Sequence, residues 1–244
     1  MLTIHHGKAN LRAPLRTGRF DNALDSDVSS RKGNPMSLKE DIILIGGGGH
    51  CRSCIDVIEM DGRFAIRGIV DEKEVLDQRL ADYPLLGRAE DLLKLSRSFR
   101  NFLITIGQIK SPEPRIRLFQ HLKQLGVTLP VIVSPLAHVS RQASLGEGTI
   151  IMHHALVNAG ASVGRNCIIN TKALIEHDAV IEDHCHISTA AIVNGTAKVQ
   201  RCSFIGSNAV LREHIVVGEE SIVGAGVTVL HSVDSRSVMR FQFS

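Results

Sequence analysis

The sequence predicts an α/β, Rossmann-like domain followed by an all-β parallel helix of hexapeptide repeats. Three observations carry that prediction. Short apolar runs alternate with helically spaced apolar positions between residues 41 and 134. Residues 46–49 are all glycine and directly follow the first apolar run. From Val139 to Val229 an aliphatic residue recurs every six residues, sixteen times without a break.

The chain of 244 residues is long enough for one large domain or two smaller ones with real cores. Apolar residues make up 43% and charged residues 22%, as in soluble globular proteins. Aromatics are scarce at 4%, which suits a core filled by Val, Ile, Ala and Gly. The net charge is +3, and no basic run is interleaved with aromatics, so nucleic acid is not an expected partner. No apolar stretch reaches the ~18 residues a membrane-spanning helix needs, and the N-terminus has no continuous apolar signal segment. Five cysteines without framework spacing point to reduced thiols and a cytoplasmic protein. Cys51 and Cys54 form a C-x-x-C without a second pair, which reads as packing at a helix start.

Residues 1–38 are polar, mixed in charge and without period. They read as a disordered or non-native N-terminal extension, and Met36 precedes the first strong strand closely. The first domain is assigned to residues 39–134. Its first strand is the apolar run 42–45, its glycine turn 46–49, and its first helix 51–60. FAIRGIVDEK reads as a second strand ending near Asp71. LLGRAEDLLKL supplies a turn and helix, NFLITIG a third strand, PRIRLFQHLKQLG a helix stopped by Gly126, and LPVIVSP a fourth strand. Alternating strands and helices imply a parallel sheet.

The hexads occupy residues 135–232. Two positions before most aliphatics sits a small side chain, such as Ala155, Ala173, Ala191, Cys167 or Cys185. A six-residue period fits neither a 3.6-residue helix nor a hairpin sheet. It fits a parallel β-helix, with one strand and one turn per hexad and about five coils in all if three hexads close a coil. Both the aliphatic and the small residue point inward. Residues 233–244 carry no further hexad and read as a C-terminal cap or truncated tail.

The stretch IEHDAVIEDHCHIS holds His177, His184 and His186. The register puts His177 at one corner, His184 near the next, and His186 outward from mid-strand. Ligands of one metal must converge at roughly 2 Å from it, which this register disfavours within one chain. His184 reads as a solvated turn residue, His153 and His154 as exposed or interface residues. The acids beside His177 suit orientation of an imidazole base. Cys185 points inward and is no nucleophile. A glycine turn before a helix presents backbone N–H groups to phosphate, so residues 46–49 suggest a nucleotide.

NTKALIEHDAVIEDHCHIS, residues 170–188, resembles the signature of the NeuD/PglD-like sugar acetyltransferases: N-T, an acid-His-acid run, then a second His nine residues on. IGGGGHCRSCIDVIE is similar to that family's Gly-rich turn ending in Gly-His, and IVDEK to its second-strand Asp. The resemblance runs from residue 41 to about 232 and implies a left-handed prism, a homotrimer, and acetyl-CoA in the groove between prisms. The implied acceptor is a sugar, often a nucleotide-activated amino sugar of bacterial surface glycan synthesis. By position, His177 would be the general base, Asp178 would orient it, and His186 would hold or polarise the thioester carbonyl. Asn170 and Glu176 match motif positions near the substrate. Gly48, Gly49, His50 and Asp71 would approach the sugar nucleotide, and Gly206 and Gly224 the pantetheine arm. No metal is expected. The chain departs from the family pattern at Ser188-Thr189-Ala190, where a Pro-Gly turn is usual, and in SVMRFQFS, where a Gly-x-Pro-Ala-Lys segment is usual. Two other readings stay open: a zinc enzyme of the γ-carbonic anhydrase kind with interface histidines, and a non-catalytic scaffold that binds sugar nucleotides.

Overall fold

The computed structural model describes residues 39–73, 80 and 82–240. The extension assigned to residues 1–38 and the last positions of the tail, 241–244, lie outside the described residues.

The α/β domain runs β1 Glu40–Ile45, α1 Gly49–Asp61, β2 Phe64–Val70, β3 Leu85–Gly87, α2 Leu92–Leu95, β4 Asn101–Ile104 and α3 Glu113–Gln124. Its strands pair in the parallel order β3-β2-β1-β4. Ile42, Ile43 and Leu44 of the central strand are fully buried. A parallel strand covered on both faces needs such a continuous apolar run. α1 starts at Gly49 and buries Cys51, Cys54, Ile55, Val57 and Ile58, so the C-x-x-C thiols are core atoms.

One strand lies elsewhere than expected. LPVIVSP supplies β5, Ile132–Val133, which pairs with Ile150–Ile151 of the prism and not with the α/β sheet. The fourth strand of the α/β sheet is β3, from LLGRAEDLLKL, paired with Ile69 and Val70.

Beyond β5 the chain forms a left-handed parallel β-helix. Ile168 lies beside His186 and Leu156 beside Leu174, so three hexads close each coil. The prism has three sides. The first carries β5, Ile150–Ile151, Ile168–Ile169, His186–Ile187, Phe204–Ile205, Ile222–Val223 and Val238–Met239. The second runs from His138–Val139 to Thr228–Val229, and the third from Ser144–Leu145 to Val216–Val217. The ladder continues past residue 232: Val233 bridges Val217, and Val238–Met239 pairs with Ile222–Val223. Val157, Ile175, Ile187 and Val199 point inward and are fully buried, with Ala179, Cys185, Ala191 and Ala197 filling the narrow spaces between.

The corners explain much of the polar sequence. From Gly148 to Gly226 every sixth residue, including Asn166, Asp178, His184, Asn208 and His214, has positive φ. Non-glycine residues there are uncommon, and Asn, Asp and His are favoured among them. Asp178 and His184 thus occupy slots whose backbone selects those residue types.

The first side is the docked side. Its outward residues Ile132, Ile150 and Ile168 pack with Met152 against α1. Each such isoleucine contributes about 1.5–3 kcal/mol by leaving water. His153 ties the same boundary: Nδ1 meets Ser134 Oγ at 2.6 Å and Nε2 meets Asp56 Oδ2 of α1 at 2.6 Å. The order Ser–His–Asp imitates a hydrolytic triad, but Ser134 is buried, so no nucleophile faces solvent.

Candidate active site

A cavity of about 1210 Å³ opens between the glycine turn and the upper coils of the docked side. Gly48, Gly49, His50, Asp71, Asn170, His186, Gly206 and Gly224 all line it. Ile106, Leu118, Phe204, Ile222 and Met239 give it an apolar wall, with Lys73, Arg117 and Arg240 among its lining.

The glycine turn is held from three directions. Gly47 N–H donates to Asp71 Oδ2 at 2.5 Å, and Lys73 N–H donates to Asp71 Oδ1 at 2.9 Å. Thr105 Oγ1 donates to Gly46 O at 2.7 Å. Gly46 has φ +104°, and a Cβ there would run into the Ile106 side chain. Gly48 precedes α1 in an extended conformation without a side-chain cap; Cys51 N–H donates to Gly48 O at 3.1 Å, which leaves the Gly49 and His50 N–H groups for an anion.

His186 is 6% exposed, outward from its strand yet covered by the α/β domain. Its Nδ1 donates to the Gln108 carbonyl at 2.6 Å, and Asn170 Nδ2 lies 3.2 Å from its Nε2. Phe204 packs edge-on at 5.2 Å between centroids. Burial is the main cause that lowers its pKa to about 4, with the Gln108 bond opposing and Arg115 adding to the fall. A carbonyl only accepts, so the Nδ1 proton is committed. Neutral His186 therefore presents an Nε2 lone pair. His50 stands 6.4 Å away between centroids, its pKa lowered to about 3 by burial, Arg115 and His186 in that order. Its Nε2 is buried without a hydrogen-bond partner among the described residues.

Arg115 of α3 was not singled out from sequence. It is 1% exposed and donates to Ile106 O at 2.7 Å and to Asn166 Oδ1 at 2.7 Å. It thereby joins the cavity wall to the prism.

His177, Asp178 and Glu176 do not join this cavity. His177 follows Leu174–Ile175 of the second side and precedes Val180–Ile181 of the third. In a three-sided prism that corner is opposite the docked side. There His177 Nδ1 meets Asp178 Oδ2 at 2.9 Å, and both side chains are exposed. Glu176 Oε2 accepts from Asn158 Nδ2 at 2.9 Å and from His177 N–H at 3.2 Å.

His184 is not the solvated turn residue expected. It is half-buried, its Nδ1 lies 2.9 Å from Asn166 Nδ2, and its ring packs edge-on against Phe119 of α3 at 5.3 Å. Burial lowers its pKa. Cys185 is fully buried inside the prism and its pKa is raised by burial, so it supplies no thiolate. The three histidines thus stand at two different corners and on one side. Among the described residues no group of three or more His, Cys, Asp or Glu is gathered to hold a metal. No described helix is long and apolar enough to cross a membrane.

Residues 41–122 match the PglD N-terminal domain model. No curated protein sequence matches the chain. Over its length it is similar to a mutant of perosamine N-acetyltransferase from Caulobacter crescentus, solved with CoA and GDP-perosamine. Identity is 26%, the TM-score is 0.77, and 83% of this chain and 93% of that one are covered. It is similar also to the acetyltransferase domain of PglB from Neisseria gonorrhoeae with acetyl coenzyme A, at 26% identity and TM-score 0.75. There 82% and 95% are covered. WeeI from Acinetobacter baumannii shares the fold at 20% identity and TM-score 0.71, over 82% and 96%.

Proposed function

We propose that the chain is an acyltransferase of the NeuD/PglD-like sugar acetyltransferase kind, which acetylates a nucleotide-linked amino sugar from acetyl-CoA. The observation that carries this reading is the single cavity shared by the glycine turn and the docked side of the prism. The turn offers N–H groups to a diphosphate. The upper coils, with Gly206, Gly224 and Phe204, offer a surface to the pantetheine arm. The perosamine enzyme, with CoA and GDP-perosamine bound, supports the same pairing of ligands.

The base comes from another copy in this reading. His177 sits at the corner opposite its own cavity, so a homotrimer in which one chain's corner meets the next chain's groove completes the site. The outward residues Leu156, Leu174, Ile192 and Val210 of the second side, apolar and half-exposed, support such a contact. The acceptor nitrogen attacks the thioester carbon, His177 takes its proton, and the C–S bond breaks as the thiolate leaves and is protonated. Asp178 holds the Nδ1 side, leaving Nε2 for the proton. Neutral His186, with Nδ1–H on the Gln108 carbonyl and Nε2 accepting from Asn170 Nδ2, lines the site and does not polarise the carbonyl oxygen by donation. Asp71 acts by fixing the glycine turn. The product serves bacterial surface glycan synthesis in the cytoplasm, a setting that suits free cysteines.

Thiol release from acetyl-CoA with a panel of amino sugar nucleotides, GDP-perosamine included, tests the reading. His177→Ala is expected to lower kcat by ~10²–10⁴ with CoA binding retained. No turnover with any acceptor together with no CoA binding would contradict it.

A further inference from the structure

His177 occupies the second position after an inward aliphatic residue. That position recurs in every hexad, and from Pro135 to His231 it carries a side chain everywhere except at Gly195. Gly195 is also the residue one coil on from His177, because Ile175 pairs with Val193 in the ladder. Its backbone gives no reason for glycine. The left-handed positions at this corner are Gly160, Asp178, Thr196 and His214, not Gly195.

The reason is spatial. A Cβ on Gly195 would lie 2.7 Å from Nε2, 2.8 Å from Cε1 and 3.3 Å from Cδ2 of His177. Non-bonded carbons are comfortable at about 3.5–4.0 Å. The imidazole therefore lies in the space that every other such position fills. Its remaining restraint is Asp178 at Nδ1, and its side chain is 61% exposed. We propose that Gly195 is a positioning residue, which seats the His177 ring by leaving that space open. The inference rests on the reading of His177 as the general base. An alanine at 195 moves the ring and not the backbone. The backbone is pinned by Thr196 N–H to His177 O at 3.0 Å and His214 N–H to Gly195 O at 3.2 Å, whereas the ring is the free end of a side chain.

The test compares full-length wild type, Gly195→Ala, His177→Ala and the double variant. The first readout needs no acceptor. In histidine-labelled protein the His177 ring resonances move in Gly195→Ala while those of His50 and His186 stay. Unmoved His177 resonances overturn the proposal. The second readout is thiol release from acetyl-CoA with GDP-perosamine as acceptor. Gly195→Ala is expected to lower kcat about 10²-fold, the scale of a ~1 Å misplacement, with KM for acetyl-CoA unchanged. In the His177→Ala background it is expected to cost nothing more. An equal loss in both backgrounds overturns the proposal, since Gly195 then acts apart from His177. Full activity of Gly195→Ala beside an impaired His177→Ala overturns it and leaves the base reading standing. A His177→Ala enzyme as fast as wild type overturns both.

Discussion

At the scale of single residues, burial sets the protonation of the cavity imidazoles. His186 and His50 are neutral at pH 7 because charging them would place a cation in an apolar wall beside Arg115. The consequence for stability has a definite sign. Between about pH 6.5 and about 4 the unfolded chain binds a proton at residue 186 that the folded chain refuses. Stability is full above that window and falls as pH drops through it, on the order of 3 kcal/mol for this group. Melting temperature followed from pH 7 to 4 is expected to fall less steeply in His186→Asn than in wild type. Equal slopes would place the titration elsewhere. The outward direction of His186 was legible from its place between inward Cys185 and Ile187. Its lid was not, because Gln108 and His50 reach it from far along the chain. His184 was misread for the same reason: its partners, Phe119 and Asn166, come from a helix and another coil that the hexad period does not encode.

At the scale of elements, the glycine turn owes its shape to Asp71 as much as to its glycines. Both carboxylate oxygens are occupied by backbone N–H groups of the turn and of the segment after β2. Asp71→Ala removes both acceptors. With charge-assisted bonds worth about 1.5–3 kcal/mol, KM for the nucleotide acceptor is expected to rise ten-fold or more, and KM for acetyl-CoA to stay. Steady-state kinetics with each substrate varied would show the split, and a rise in both would point to general loosening. The hexads made the prism legible because inward aliphatic and small residues obey one period along the whole ladder. Pairing partners were less legible. LPVIVSP has the composition of a strand, and nothing in it says that Ile132–Val133 joins Ile150–Ile151. Leu85–Gly87 is too short to display a period at all.

At the scale of the whole molecule, the proposed function divides the site between copies of the chain. The cavity with His186 and the glycine turn lies against the docked side, and the His177–Asp178 couple lies at the opposite corner. Assembly follows if the halves are to meet. If the proposed trimer forms through the half-exposed apolar second side, Ile192→Glu is expected to shift it toward monomer by light scattering and to abolish transfer. A trimeric, active variant would move the contact to another side. The most direct measurement is complementation. His177→Ala and His186→Ala chains are each expected to be impaired, and are then mixed, unfolded and refolded together. Random assembly pairs an intact His177 corner with an intact cavity at roughly a quarter of the contacts in a closed ring. Acetyl transfer in the mixture is expected to recover to about that fraction of wild type. Activity no higher than the average of the two variants refolded alone would contradict a site shared between copies.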